Sequence, residues 1–295
     1  MKNFSEEKQG VIYAILAFTF WGLVPIYFKL VKSVSPTEIL VHRIFWSVIF
    51  LTILIFATKQ TYLFKNIIRD RKKLKILFLT SILISANWLV FIWAISNNRI
   101  TEASLGYYIN PIVNVILGVF FLSEKPTKYQ KIAIIFATLA IINELISFGS
   151  IPLVSISLAL SFGLYGMFRK KVSVPSIAGL YIETLIVSPF ALIYFAYLVQ
   201  NSQNAFTFPL DYVSWLLVSA GLITVIPLIW FNAAATRISL TKLGFLQYIG
   251  PTLAFLLGIF VYHEPFNEKK LITFTFIWIA LVIFGIDSKP LKSIK

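Results

Sequence analysis

"TEASLGYYINPIVNVILGVFFLSE", Thr101 to Glu124, decides how this chain is read. Moved forward by 140 residues without a gap, it falls on "TKLGFLQYIGPTLAFLLGIFVYHE", Thr241 to Glu264. Thr101, Tyr108, Ile109, Pro111, Leu117, Gly118, Phe120 and Glu124 meet identical residues. A second stretch repeats at almost the same offset. Displaced by 141 residues, "WGLVPIYFK" (Trp21 to Lys29) falls on "FGLYGMFRK" (Phe162 to Lys170), with Gly22 on Gly163 and Lys29 on Lys170. Apolar segments match by chance more often than polar ones. A shared Pro, Gly and closing Glu is more than that chance supplies. The chain therefore reads as two homologous halves, 1–148 and 149–295.

Composition says where those halves reside. Of the 295 residues 58% are hydrophobic and 13% charged, and the mean hydropathy is +0.85. Soluble domains carry about 25% charged residues, so this is a membrane composition. There is no Cys, which excludes disulfides and thiolate metal sites. A span needs about 20 mostly apolar residues. Ten runs qualify, near 11–31, 38–58, 75–96, 102–122, 129–147, 152–170, 176–199, 212–234, 242–262 and 270–287. The first is too long for a signal-peptide core, and no small-residue cleavage site follows it.

The net charge of +14 is a topology signal. The ends and connections on the N-terminal side hold 20 of the 26 Lys and Arg, from Lys2 and Lys8 through Arg169, Lys170 and Lys171 to Lys295. The other side holds Lys29, Lys32, Arg99, Lys269 and Lys270. Lys and Arg concentrate on cytoplasmic loops, so both termini are expected in the cytoplasm. The basic connection "KQTYLFKNIIRDRKK" (Lys59 to Lys73) reads as an anchor near anionic headgroups. Nucleic acid is not an expected partner; the lipid bilayer and a small-molecule substrate are. Five spans per half is an odd number, so the second half enters from the opposite face. Such inverted repeats mark many secondary transporters, whose substrate site lies near the midplane between the halves. The predicted fold is all-α, with ten transmembrane helices in two inverted five-helix repeats.

The set "QGVIYAILAFTFWGLVPIYFK", "EILVHRIFWS", "NWLVFIWA", "EASLGYYINPIVN", "FGLYGMFRKK", "IET" and "LGFLQYIGPTLAFLLG" resembles the RarD branch of the EamA-type drug/metabolite transporters. The resemblance runs from about Gly10 to Asp287. It implies a ten-helix carrier of a bacterial inner membrane, moving small organic metabolites or drug-like solutes, with amino acids among the candidates. The branch carries a historical association with chloramphenicol sensitivity, which does not define a natural substrate.

Ionisable groups inside a span are costly and are functional candidates by default. His42 and Arg43 lie about one turn into the second run, and Glu183 about two turns into the seventh. In the 141-residue register His42 falls on Glu183, as paired gates of an alternating-access carrier require. His42 and Arg43 have a second reading, snorkelling to headgroups. Burial penalises a charged carboxylate, which makes Glu183 the candidate carrier of a coupling proton. Trp21, Asn87 and Trp88 sit at mid-depth, either as packing or as an aromatic wall with an amide. Tyr107, Asn110, Asn114 and Gly118 share one helix face. The substrate-binding candidates on these spans are Tyr107, Asn110, Asn114, Gln247 and Tyr248; the alternative for Asn114 is an interhelical hydrogen bond. Pro111 and Pro251 are the expected helix bends. Glu124 and Glu264 are expected to cap the helix that follows each.

No cofactor is expected. The phosphate-binding pattern G-x-x-x-x-G-K-[ST] is absent, and so is metal-ligand spacing, since His42 and His263 are the only histidines. A passive channel is the alternative within transport. A membrane-embedded enzyme would need acid, base or metal ligands clustered at one depth, and none is seen.

Overall fold

The computed structural model describes residues 2–263 and 268–287. Glu264, used above for the repeat and as an expected cap, and Lys295, counted in the C-terminal charge, lie outside the described residues. Twelve helices are described: α1 (Lys2–Leu30), α2 (Pro36–Ala57), α3 (Thr61–Arg69), α4 (Arg71–Ser96), α5 (Ile100–Leu122), α6 (Lys128–Phe148), α7 (Leu153–Val172), α8 (Ser176–Gln200), α9 (Tyr212–Ala235), α10 (Leu240–Gln247), α11 (Ile249–Phe260) and α12 (Glu268–Asp287). Taking α10 and α11 together, eight are long and apolar enough to cross a membrane. The other two predicted runs are helical as well: α7 ends in Arg169, Lys170 and Lys171, and α12 offers a shorter apolar stretch, Lys270–Ile286.

Short polar residues punctuate the apolar runs. Ser35, Asp70, Thr127, Asp211 and Ser239 each accept from a backbone amide of the helix they precede, meeting donors that a helix start leaves unpaired. Backbone amides of Lys73 and Lys72 hold the Asp70 carboxyl below the usual carboxylate range, and the Ser214 hydroxyl and amide do the same for Asp211. Gly149, at φ 76°, closes α6 in the left-handed conformation that glycine adopts without strain.

Sequence and structure differ at three elements. The basic connection holds α3, whose Leu63, Phe64 and Ile67 face a cluster containing Ile55, Leu77, Val174 and Ile182. Apolar residues at i, i+1 and i+4 give a short helix a buried stripe, so this connection is folded onto the bundle. The ninth run is interrupted at Tyr248, three residues before Pro251, and becomes α10 and α11. Pro111, by contrast, sits inside a continuous α5. The third difference concerns Glu124. Thr127 and Gln130 form the capping box of α6 themselves, and Glu124 reaches instead to the start of α10, accepting from the amides of Leu240 (2.6 Å) and Thr241 (2.9 Å) and from the Thr241 hydroxyl (2.8 Å). A carboxylate among free amides of a helix start is favoured by the dipole as well as by the hydrogen bonds, which accounts for its choice of α10.

Helix pairing has a regular plan. α1 packs on α9 and α11, and α7 packs on α4 and α5; α2 packs on α9, and α8 on α4. α6 pairs with α12, α2 with α8, and α5 with α10. Exchanging α1, α2, α4, α5, α6 for α7, α8, α9, α10–α11, α12 turns this set of pairs into itself. Along the α5 seam Glu124 meets Leu240, Asn114 meets Gln247, and Tyr108 meets Tyr248. The two matching segments therefore run antiparallel.

Small residues set the close contacts, as expected where helices associate by packing rather than by exclusion of water. Ala133, Ala137 and Ala140 of α6 are fully buried in the cluster that holds Phe274 and Ile277 of α12. A Cβ on Gly244 of α10 would stand 2.7 Å from the Pro111 carbonyl oxygen, so only glycine fits at that crossing. Outward surfaces are apolar: Phe120, Ile146, Phe190 and Phe260 are all more than two-thirds exposed, while Asn110, Asn114, Glu183 and Asn232 are buried. Apolar outside and polar inside suits a lipid solvent.

Candidate functional site

The amides that motivated the reading of α5 form one chain across three helices. Asn110 Nδ2 donates to the carbonyl of Ala159 on α7 at 2.7 Å. Asn114 Nδ2 donates to Asn110 Oδ1 (3.2 Å) and to Gln247 Oε1 on α10 (3.0 Å). All three are buried. Gly163 opens the space beside Asn114, where a Cβ would press on Val113. Tyr248, at the helix break, is fully enclosed, and its hydroxyl donates to the Tyr108 carbonyl at 3.3 Å. Its surroundings are the aromatic and aliphatic cluster of α5, α6 and α12.

Arg43 lies further along the bundle. Its Nε donates to Thr224 Oγ1 of α9 at 2.9 Å, and its guanidinium stands 5.0 Å from the Trp88 ring of α4. Tyr27 of α1 and Tyr107 of α5 interact with it electrostatically. Its direct contacts are thus with α9 and α4, which draw the guanidinium between helices. Tyr107, packed against Phe91, keeps half of its surface accessible, and Arg43 and Trp88 are half-buried. Asn87, next to Trp88, donates to the Leu158 carbonyl and to Ser161 Oγ of α7, both at 2.9 Å. Trp21 is half-buried in an aromatic group with Phe18, Phe162 and Phe231 at centroid separations of 5.7–5.8 Å.

Two buried acid–base pairs involve α2 and its counterpart α8: one lies within α2, the other bridges α7 and α8. His42 Nε2 is 3.8 Å from Glu38 Oε1. Trp46 Nε1 donates to His42 Nδ1 at 3.3 Å, and the Phe195 and Phe206 rings enclose the imidazole. Glu38 accepts from the Ala205 amide at 2.6 Å, fixing the 201–211 connection to α2. On α8, Glu183 Oε1 accepts from Thr80 (2.5 Å) and faces Arg169 Nη1 at 3.5 Å. Its Oε2 accepts from the Tyr165 hydroxyl at 3.2 Å, and Asn232 Nδ2 donates to that hydroxyl at 3.0 Å. Gly179 makes room for Arg169, since a Cβ there would coincide with the guanidinium. Among the described residues no group of three or more His, Cys, Asp or Glu is placed to hold a metal ion.

The EamA-like transporter family matches the chain twice, over residues 8–143 and 150–286. The chain belongs to the EamA-like transporter family. Similarity to individual relatives narrows the branch. It is 43% identical over 284 residues to Protein RarD of Escherichia coli (strain K12), covering 96% of each chain. It is 45% identical over 282 residues to an uncharacterized transporter of Vibrio cholerae, covering 96% of this chain and 93% of that one. A solved structure, titled only "Crystal structure of protein", superposes with a TM-score of 0.72 at 15% identity over 95% of this chain and 98% of its own; that likeness concerns the fold alone. The protein is thus a multi-pass membrane transporter of the RarD type.

Four partners of the polar residues in this EamA transporter carry little signal in the sequence. Arg169 stands with Lys170 and Lys171 in a basic run that reads as cytoplasmic charge, yet it is fully buried. The signal was its phase. Arg169 lies four residues after Tyr165, on the buried face of α7, whereas Lys171 is exposed. Glu38 was hidden as an ordinary first-turn acid of α2, one helical turn before His42. Thr80 and Tyr165 carried no charge to draw notice. The hollows at the bundle ends, about 420 Å³ near Ser173 and Arg237 and about 520 Å³ near Arg99 and Glu102, touch none of the candidate residues.

Proposed function

We propose that the protein is a secondary transporter working by alternating access between two inverted five-helix halves, 1–148 and 149–295. In this reading ten helices cross the bacterial plasma membrane with both termini cytoplasmic. The observation that carries it is the helix pairing, which maps onto itself when the halves are exchanged. The antiparallel run of α5 against α10, from Glu124–Leu240 to Tyr108–Tyr248, supports the same symmetry. Two packings of equal kind, one opening to each side, are what an inverted repeat provides.

The cargo in this proposal is a small organic metabolite or drug-like solute. It is held by Trp21, Asn87, Trp88, Tyr107 and the amide chain Asn110–Asn114–Gln247, with Arg43 closer to the face from which α2 enters. Glu38–His42 within α2 and Arg169–Glu183 between α7 and α8 act as the two gates, His42 and Glu183 standing on matching helices, with Glu183 the candidate for a coupling proton. The test is reconstitution in proteoliposomes with a panel of labelled amino acids and related solutes. A carrier gives saturable uptake and counterflow; flux that rises without saturation would return the protein to the channel class. Equal rates with and without a pH gradient would remove the proton from Glu183.

A further inference from the structure

We infer that Arg43 binds a carboxylate group of the transported solute; this rests on the carrier reading above and names its substrate class. The guanidinium is held between α4 and α9, through the Trp88 ring at 5.0 Å and Thr224 Oγ1 at 2.9 Å. Among the described residues no carboxylate lies within 4 Å of it. Arg169, the other arginine deep in the bundle, has Glu183 opposite. Arginine does not deprotonate in proteins, so Arg43 cannot shed its charge. A cation inside a membrane protein calls for a partner anion, and this chain does not place one beside Arg43.

The geometry around Arg43 suits a visiting anion. Thr224 takes only Nε. The two terminal nitrogens, which grip a carboxylate in a planar fork, have no protein acceptor among the described residues. Thr224 and the Trp88 face hold the guanidinium in one orientation, so little freedom is lost when the fork closes. Tyr107, half accessible and within electrostatic range of the same cation, offers a hydroxyl to the second carboxylate oxygen. A solute without the carboxylate would leave the guanidinium as it found it, uncompensated.

Purified protein in detergent provides the test, with tryptophan fluorescence and thermal shift as two readouts. The probes are phenylalanine, leucine and benzoate, each paired with its carboxamide, together with inorganic phosphate. At least one acid should bind, with its amide weaker by about tenfold or more. Arg43→Gln should erase that acid-over-amide ratio, and Arg43→Lys should retain part of it. If Arg43→Gln fails to fold, Tyr107→Phe and Thr224→Val should lower the same ratio several-fold in folded protein. Equal binding of acid and amide, no binding of any acid, phosphate as the sole ligand, or an unchanged ratio in the variants would overturn the assignment. Saturable exchange of a solute that lacks a carboxylate would overturn it while leaving the carrier reading standing.

Discussion

Arg169 and Glu183 face each other at 3.5 Å with both side chains sealed from solvent, and they link α7 to α8 in the second half. The arginine nitrogens make no hydrogen bond, whereas Glu183 accepts from Thr80 and Tyr165. Removing one member of such a pair leaves an uncompensated charge, at a cost of about 3–5 kcal/mol, while replacing both with apolar groups is often neutral or better. Glu183→Met should therefore lower the thermal midpoint in detergent sharply, and adding Arg169→Met should recover much of the loss. Additive losses in the double variant would show that the two residues are not coupled.

Gly179 tests the same pair from its other side. Its missing side chain is the space the guanidinium fills. Overpacking of a filled interior costs about 1–3 kcal/mol, and here the displaced group is charged. Gly179→Ala should destabilise the wild type more than the Arg169→Met background, in which only the contact with the Val174 methyl (2.7 Å) remains. Equal effects in both backgrounds would place the clash elsewhere.

Much of this fold was legible because the bilayer demands long apolar runs and because the repeat could be read by sliding the chain along itself. What was not legible depended on partners distant in sequence. Glu124 looks like a local cap, yet the nearer helix start already had Thr127 and Gln130, and the free amides at Leu240 and Thr241 took the carboxylate. Arg169 stood in a basic run, and only its phase with Tyr165 separated it from its neighbours. For the candidate site, charge and amide type drew notice to Arg43, Asn110 and Glu183. Glu38 and Thr80, unremarkable by type, become visible only when α2 and the 201–211 connection, or α4 and α8, are brought together.

The link from Glu124 to α10 gives a third prediction. Loss of a helix N-cap costs about 1 kcal/mol, and Glu124→Ala removes an acceptor for two amides and one hydroxyl at once. Amide exchange at Leu240 and Thr241 should rise in Glu124→Ala, with the start of α6 unaffected because its own capping box remains. Faster exchange at the start of α6 instead would restore the local-cap reading.

Acid should loosen two connections before it reaches the bundle. Asp70 and Asp211 both titrate below the usual carboxylate range because amides of the following helix bind the ionised form. A depressed folded-state value means the stabilisation is present above the ordinary carboxylate value and is lost as pH falls through the depressed one. Asn caps about as well as Asp but does not titrate. The double variant Asp70→Asn, Asp211→Asn should match wild type near neutrality and show a flatter acid limb of thermal midpoint against pH. An acid limb of unchanged slope would assign that transition to other groups.

Asn110 and Asn114 separate a packing role from a transport role by magnitude. Asn114 joins Asn110 to Gln247 and Asn110 joins Ala159, so the chain spans α7, α5 and α10 across the interface of the halves. Interhelical hydrogen bonds in membrane proteins average about 0.6 kcal/mol, with the strongest near 1.7. Asn110→Ala and Asn114→Ala should each leave expression intact and shift unfolding stability by no more than that. Tyr108, Ile109 and Pro111 occur in both halves, while the two amides occur in one, opposite Gly250 and Ala254. Residues shared by both halves serve the common architecture; residues present in one half break its symmetry, as recognition of an asymmetric cargo requires. Transport in proteoliposomes should therefore fall by about tenfold or more in either variant, equivalent to about 1.4 kcal/mol on the barrier and more than the average bond accounts for. Wild-type rates in both variants would return the amide chain to packing, and the search for a cargo site would then centre on Arg43 and Tyr107.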